Sequence, residues 1–502
     1  MIEELLDLCR PLHDRHQENG NPVRSGGRLM GGTPGGPATG LRLAARSPNP
    51  LPRLCDLAVC IHPAMVLPHD AGRFSLPGID VALARRPLLT NLDFTSSLYL
   101  ELRHPSEALA PFRQLTTGVP AAVRSPAEAD DLAGSLGRLM GCSAAILGTT
   151  TLHIFWDLFC ILCRRQSGLL IVGEIYPIAL WGVERAAALG VPVARVVAHE
   201  PGRVSKRAQA WSRRGIRPII VTDGIFFPEG RIAPLRSYGR IAAASGGLLV
   251  IDDTQGLGIL GNNPTASAPY GHGGGGSFRF HDLTGPHLIG VCSLAKAFGV
   301  PIAVLAGSGP MVRAFASKSA TRRHSSPPSM AVLAAGIRAI SINRWCGEHL
   351  RARLLDNIRR FRSMLTGAGL HPAGGLMPVQ TLSFGPETEA GAVHAGLTRA
   401  GIRALVAPEP VLSGGRIIFV ITAKHQPVDV ERAALALSRI LPPSGRLSSV
   451  KGYNADQPGT VWGRHGWTGF WGRSPGIASD NGALTGRRLK CRQDSFTGVN
   501  PR

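Results

Sequence analysis

Between about residues 91 and 441 the chain alternates short, wholly apolar runs with alanine-rich stretches whose apolar residues recur every three to four positions. The short runs predict strands buried on both faces, and the longer stretches predict amphipathic helices. Strands are predicted at Leu169–Val172, Val191–Val197, Pro218–Thr222, Gly247–Ile251, His287–Cys292 and Pro301–Ala306, with helices at Ala179–Leu189 and Arg236–Ala244 among them. Helical spacing then dominates over Met330–Asn343 and Glu348–Ala368, and strand-like runs return at Gln380–Phe384 and Arg416–Ile421. Strand–helix alternation followed by helices and late strands predicts an α/β fold, with a mainly parallel sheet in a large domain and a smaller α+β C-terminal domain.

The flanks have another texture. Residues 16–90 are rich in Gly, Pro and Arg, as in GGRLMGGTPGGPATG, and lack a periodic apolar face. Residues 442–502 are similarly punctuated, with Trp462, Trp467 and Trp471 set among glycines. Residues 1–90 therefore read as a disordered or loosely packed extension, 91–330 as the opening segment and large domain, 331–441 as the small domain, and 442–502 as a disordered basic tail.

A formal charge of +22 raises the question of nucleic acid, but the arginines are scattered through the central region. The tail carries nine basic against three acidic residues, a net of +6. Dispersed charge predicts a solvated basic surface, with nucleic-acid binding disfavoured. The nine cysteines follow no disulfide spacing, which points to a reducing, cytoplasmic setting. Cys160 and Cys163 form a lone C-x-x-C in an apolar run, which predicts buried helix cysteines and no metal. No apolar run approaches the roughly 18 residues of a membrane span, and the first residues, MIEELLDLCR, do not resemble an export signal.

In an open α/β sheet, ligands bind beyond the carboxyl ends of the strands. Three apolar runs end in chemistry: one in Thr222-Asp223, one in Asp252-Asp253, and one in Cys292-Ser293 with Lys296 three residues on. A lysine amine can form a Schiff base with an aldehyde cofactor, and a carboxylate can keep a pyridine nitrogen protonated. Lys296 and Asp252 are the candidates for these two tasks, and Ser293 could donate to a phosphate. Lysine is scarce in this chain, which has six, so a chance surface position for Lys296 is disfavoured.

These blocks resemble the α-oxoamine synthases, the 8-amino-7-oxononanoate synthase-like branch of the pyridoxal-phosphate (PLP)-dependent class I/II aminotransferase superfamily. The resemblance runs over about 91–441 and rests on NLDFTSSLYLELRHP (91–105, with Tyr99), VTDGIFFPEGRIAPL (221–235), LLVIDDTQGLGILG (248–261) and CSLAKAFGVP (292–301). It implies a fold-type I PLP-transferase with Lys296 as the Schiff-base lysine, Asp252 on the pyridinium nitrogen, Asp223 beside it, and Ser293 on the phosphate. It also implies that the turn Thr149-Thr150-Thr151 binds phosphate and that Tyr176 takes the place of a ring-stacking histidine. Ser325, in HSSPP, falls in the segment with which a neighbouring subunit reaches the phosphate, so a homodimer is implied. Plain packing for Tyr176, and a plain helix cap for the threonines or for Asp252, remain open as alternatives.

Three departures concern the substrate. Gln255 replaces the histidine of the family's D-x-x-H, Phe227 replaces a serine, and Ile418 stands where an arginine clamps the substrate carboxylate. Arg416 lies on the same strand face as Ile418 and could substitute, displaced by about 6–7 Å. The implied activity is acyl transfer from acyl-CoA or an acyl carrier protein to an amino-acid-derived carbanion. Transamination of an altered substrate is the alternative enzyme reading, and a catalytically degenerate PLP-fold scaffold or binding protein the non-enzymatic one. A serine β-lactamase reading, from Ser293-Leu-Ala-Lys296 and Ser479-Asp-Asn481, fails for want of a third motif.

Overall fold

A computed structural model describes residues 91–441 apart from 164–165, 385–386 and 410–413. The expected disorder at 1–90 and 442–502, the tail tryptophans and Ser479–Asn481 all lie outside the described residues.

The strands are β1 (Leu92–Asp93), β2 (Ala144–Gly148), β3 (Ser167–Val172), β4 (Val193–Val196), β5 (Arg217–Asp223), β6 (Ile225–Phe226), β7 (Arg231–Ile232), β8 (Leu248–Asp252), β9 (Leu288–Ser293), β10 (Ala303–Gly307), β11 (Val379–Ser383), β12 (Ile402–Arg403), β13 (Leu405–Glu409) and β14 (Gly414–Val420). Seven form one sheet in the order β2-β10-β9-β8-β5-β3-β4, in which β10 runs antiparallel to both neighbours and the other pairings are parallel. A smaller antiparallel sheet, β11-β14-β13, packs with helix Glu387–Arg399, on which helix Pro427–Ile440 packs in turn. This is the large-plus-small α/β architecture predicted from the pattern. β1 pairs in parallel with β12, so the first described strand is tied to the C-terminal part of the chain.

The large sheet is buried on both faces, which is why its strands read as unbroken apolar runs. Leu169 and Ile171 face helices Thr151–Leu162 and Pro177–Ala188, while Leu170 and Val172 face helices Pro201–Arg213 and Leu235–Ala244. The apolar pattern does not predict helix Pro201–Arg213. It buries only Val204, Ala208 and Trp211, a thin stripe among basic and polar residues. Trp211 lies against Gly168 of β3, where any side chain would collide with the indole.

The two helices expected at 330–343 and 348–368 are one helix, Met330–Gly367. The apparent break has a physical cause. Asn343, Gly347 and Arg351 recur at four-residue spacing and are buried against a glycine-rich loop instead of an apolar surface. Asn343 donates to the Gly273 carbonyl at 3.0 Å, and Arg351 donates to the Gly258 carbonyl at 3.1 Å and to Asn343 Oδ1 at 2.7 Å. Cys160 and Cys163 are half-buried, a correction to the expected full burial, because the helix carrying Cys160 ends at Leu162 and Cys163 caps it. Among the described residues no helix is long and apolar enough to cross a membrane.

One buried acid fixes the loop beneath the site. Asp253 is fully buried just beyond β8 and accepts from the Ser277 N–H at 2.6 Å and the Ser277 hydroxyl at 2.5 Å. Gly256 and Gly276 crowd the carboxylate so closely that a side chain at either would overlap it, and Gly276 has a positive φ of 80°. Burial raises the Asp253 carboxyl to about 7, with the two Ser277 donors opposing the rise. An acid raised in the folded state adds stability below its ordinary pKa of 3.8, and that contribution is lost as pH climbs through about 7. Asp253→Ala is expected to lower stability by about 3 kcal/mol by leaving both donors unmatched, and Asp253→Asn to flatten the stability slope between these pH values. Urea unfolding across that pH range checks both.

Candidate functional site

The pleat and register of the large sheet put three strand ends side by side. Asp223 at the end of β5 is the direct partner of Asp252 at the end of β8, and Asp252 is in turn level with Val291 of β9. β9 ends at Ser293, and Lys296 follows in the turn leading to β10. The backbones of the two acids thus stand about 5 Å apart, one strand spacing.

Their electrostatics follow from that placement. Asp252 is buried and accepts the Thr254 N–H at 3.0 Å. Burial lifts its carboxyl above the ordinary range, while Thr254 and the Lys296 ammonium pull it back. Asp223 is lifted further, first by burial and then by the charge of Asp252. Lys296 is half-buried, and burial lowers its pKa against the opposing pull of Asp252. The trio therefore holds one negative charge more readily than two, and an amine that gives up its proton more easily than an exposed lysine.

Tyr176 caps helix Pro177–Ala188, and its N–H donates to Asp223 Oδ1 at 3.4 Å. Its ring is half-exposed, and burial followed by the charges of Asp252 and Asp223 raises the phenol, so Tyr176 feels the charge of the carboxylate pair. Tyr99, fully buried, donates its hydroxyl to Gln255 Oε1 at 2.5 Å. The Tyr99 and Tyr176 phenols also feel each other, so the Tyr99–Gln255 pair belongs to the same group.

The second group gathers on the other side of β10. Ala303 is level with both Ser293 of β9 and Gly148 of β2, so the threonine turn after Gly148 and Ser293 share one sheet edge about 10 Å apart. Thr150 is the N-cap of helix Thr151–Leu162, its hydroxyl accepting the His153 N–H at 3.2 Å. Thr149 Oγ1 contacts His153 Nδ1 at 2.5 Å, and Thr151 opens the helix. A small pocket is lined here by Gly148, Thr149, His153, Arg322 and Ser325 of the same chain. Ser325 donates to the Thr321 carbonyl at 2.7 Å.

Ser293 joins the two groups. Its N–H donates to Thr254 Oγ1 at 3.0 Å, and its own hydroxyl accepts the Ala295 N–H at 3.3 Å. Arg416 is buried on β14, opposite Ser383, and its charge acts on Glu229 in the loop after β6. Sequence reasoning misses Thr254, His153, Arg322 and Glu229. Of these, only Thr254 carries a readable signal, as the hydroxyl directly after the strand-end acid pair.

The structure supports one chemical expectation without any ligand. The rate of acylation of Lys296 by an amine-selective reagent should rise with a midpoint below the roughly 10.4 of an exposed lysine. Removing the attraction of Asp252 by Asp252→Asn should move that midpoint lower still. Peptide mass mapping across a pH series measures both.

Comparison with known proteins adds a separate line of evidence. The family model for class I and II aminotransferases matches residues 204–437. The 8-amino-7-oxononanoate synthase of Halorhodospira halophila is 34% identical over 263 residues, 49% of this chain and 58% of that protein. The enzyme of the same name from Alkalilimnicola ehrlichii is 30% identical over 257 residues, 49% of this chain and 62% of that protein. The chain thus spans about three-fifths of the length of these curated relatives. Among solved structures, the Sphingomonas wittichii serine palmitoyltransferase superposes with a TM-score of 0.61 at 17% identity, covering 70% of this chain and 87% of that one. The Francisella tularensis 8-amino-7-oxononanoate synthase does so with a TM-score of 0.56 at 17% identity, covering 70% and 97%. At such identities the superpositions establish the shared fold.

Proposed function

We propose that this chain, which belongs to the class I and II aminotransferase superfamily, is a PLP-dependent transferase of the α-oxoamine synthase type that carries its cofactor on Lys296. The observation that carries the reading is the convergence of Asp223, Asp252 and Lys296 on adjacent strand ends, with both acids shifted up and the amine shifted down.

The donor set fits that cofactor. A buried carboxylate, Asp252, suits a protonated ring nitrogen, and Asp223 beside it keeps the pair's charge single. Tyr176 offers an aromatic face, and Gln255 an amide for the ring's phenolic oxygen. The helix N-terminus at Thr149, Thr150 and Thr151, with Ser293 and Ser325, offers hydroxyl and N–H donors suited to a phosphate. When bound, PLP supplies an electron sink for a carbanion next to its amine nitrogen. Lys296 Nζ would hold the cofactor covalently and would take or return a proton at the substrate carbon. Burial lowers its pKa, which favours that proton transfer near neutral pH.

The acyl-transfer reading draws on the 8-amino-7-oxononanoate synthase relatives, and would use an acyl-CoA or acyl carrier protein with an amino acid whose carboxylate Arg416 would meet only in competition with Glu229. Transamination is the second reading, favoured by Gln255 and Ile418, because both replace groups expected to handle an α-amino acid. A homodimer is proposed from the family resemblance alone, since Ser325 lines a pocket beside its own chain's threonine turn.

The test is direct. The purified chain mixed with PLP should gain an absorption band near the violet end, and borohydride should then fix the cofactor on Lys296 and on none of the other five lysines. Lys296→Ala should lose both signals. Asp252→Asn should keep the labelling yet cut turnover by about a hundredfold, the scale of losing one preorganised electrostatic contact. Release of free CoA from acyl-CoA identifies the synthase, and bleaching of the band by an amino donor without CoA release identifies the transaminase. A colourless protein under excess PLP overturns the proposal.

A further inference from the structure

The pair formed by Tyr99 and Gln255 joins two segments 156 residues apart. Tyr99 has almost no freedom. Its ring is 1% exposed within the main core, its carbonyl accepts the Ala423 N–H at 2.8 Å, and its own N–H donates to the Ser97 carbonyl at 3.0 Å. Gln255 lies in a turn closed by the Gly256 N–H on the Asp253 carbonyl at 3.1 Å and the Leu257 N–H on the same carbonyl at 2.9 Å. Its side-chain amide can rotate, and its two ends differ in kind: the oxygen accepts and the nitrogen donates twice. What selects the orientation is the Tyr99 hydroxyl, which donates to Oε1. Burial pushes the Tyr99 phenol well above its ordinary value, so it stays a donor throughout the working pH range.

Resting on the reading that Lys296 carries PLP, we propose that Tyr99 is a positioning residue: by occupying the oxygen of Gln255 it presents only N–H donors to the cofactor's phenolic oxygen. An amide turned the other way would set a carbonyl against a negative oxygen. Gln255 thus becomes a fixed, uncharged donor that neither gains nor loses a proton. Tyr99 acts entirely through it.

A donor on that oxygen stabilises its negative charge and weakens its hold on a neighbouring proton, so the pH midpoint of the bound cofactor's absorption falls when the donor is in place. The experiment is a pH titration of the visible band in the PLP-loaded full-length chain, its Tyr99→Phe and Gln255→Met variants, and the double variant. Each single change should raise the midpoint by about one pH unit. The double variant should shift no further than either single one, because the tyrosine works through the glutamine. Should a variant load poorly, the same cycle is read in the cofactor's dissociation constant, where equal and non-additive losses support the inference. A silent Tyr99→Phe overturns it, and so do additive shifts. Borohydride labelling of the parent separates the two levels: labelling at Lys296 with a silent Tyr99→Phe removes the positioning role alone, whereas no labelling at Lys296 removes the underlying reading together with it.

Discussion

The arrangement of the whole site depends on two acids forced level with each other by strand pairing. Asp223 and Asp252 are register partners in β5 and β8, and both point beyond the end of a sheet covered on both faces. At one strand spacing, two full negative charges would repel by about 3 kcal/mol even at an effective dielectric constant near 20. Desolvation adds to that cost. The pair therefore resists carrying two charges unless a cation is brought to it, and the Lys296 ammonium is a cation the chain supplies, its proton held by Asp252 against the pull of burial. A site of this kind is poised to accept a ligand that brings positive charge.

Everything around the trio serves to keep those strand ends fixed. Asp253 points away from the site and is spent on Ser277, tying β8 to the helix at Ser277–Phe280. The glycine-rich loop between them is then pinned by Asn343 and Arg351 from the long helix. Thr254 links the Asp252 carboxylate to the Ser293 backbone, so the acid's position and that of the strand leading to Lys296 are set together. Adjacent residues 252 and 253 thus divide the work: one acid faces the site, and the other anchors the loop beneath it.

What is legible in the sequence follows from these physics. Doubly buried strands announce themselves as apolar runs, and their polar ends announce a cleft, so Asp223, Asp252, Ser293 and Lys296 stand out from the pattern of residues alone. Helix Pro201–Arg213 is not legible, since three apolar residues among arginines and serines make too thin a stripe. The continuity of Met330–Gly367 is hidden because its middle turn buries polar side chains on a loop, which reads as a break. The Tyr99–Gln255 hydrogen bond and the pocket around Arg322 are beyond reach for a different reason: each joins segments far apart in sequence, and no local pattern encodes such a meeting.

The departures from the family pattern share a direction. Where the chain conforms, at Asp223, Asp252 and Lys296, the residues are those that a pyridine ring and an aldehyde would need. Where it departs, at Phe227, Gln255 and Ile418, the residues replaced are those that the family pattern implies for handling a substrate. A neutral amide at 255 neither gives nor takes a proton, so under the proposed mechanism proton movement falls to Lys296, whose proton affinity burial already reduces. Arg416 is likewise not a simple replacement for an arginine at 418, because it is buried in the small sheet within reach of the charge of Glu229 from the loop after β6. A substrate carboxylate would have to compete with that acid. The site is therefore expected to favour an amine whose recognition relies less on a carboxylate clamp than the family pattern implies, and kinetics with amino acids against their decarboxylated amines measure that preference.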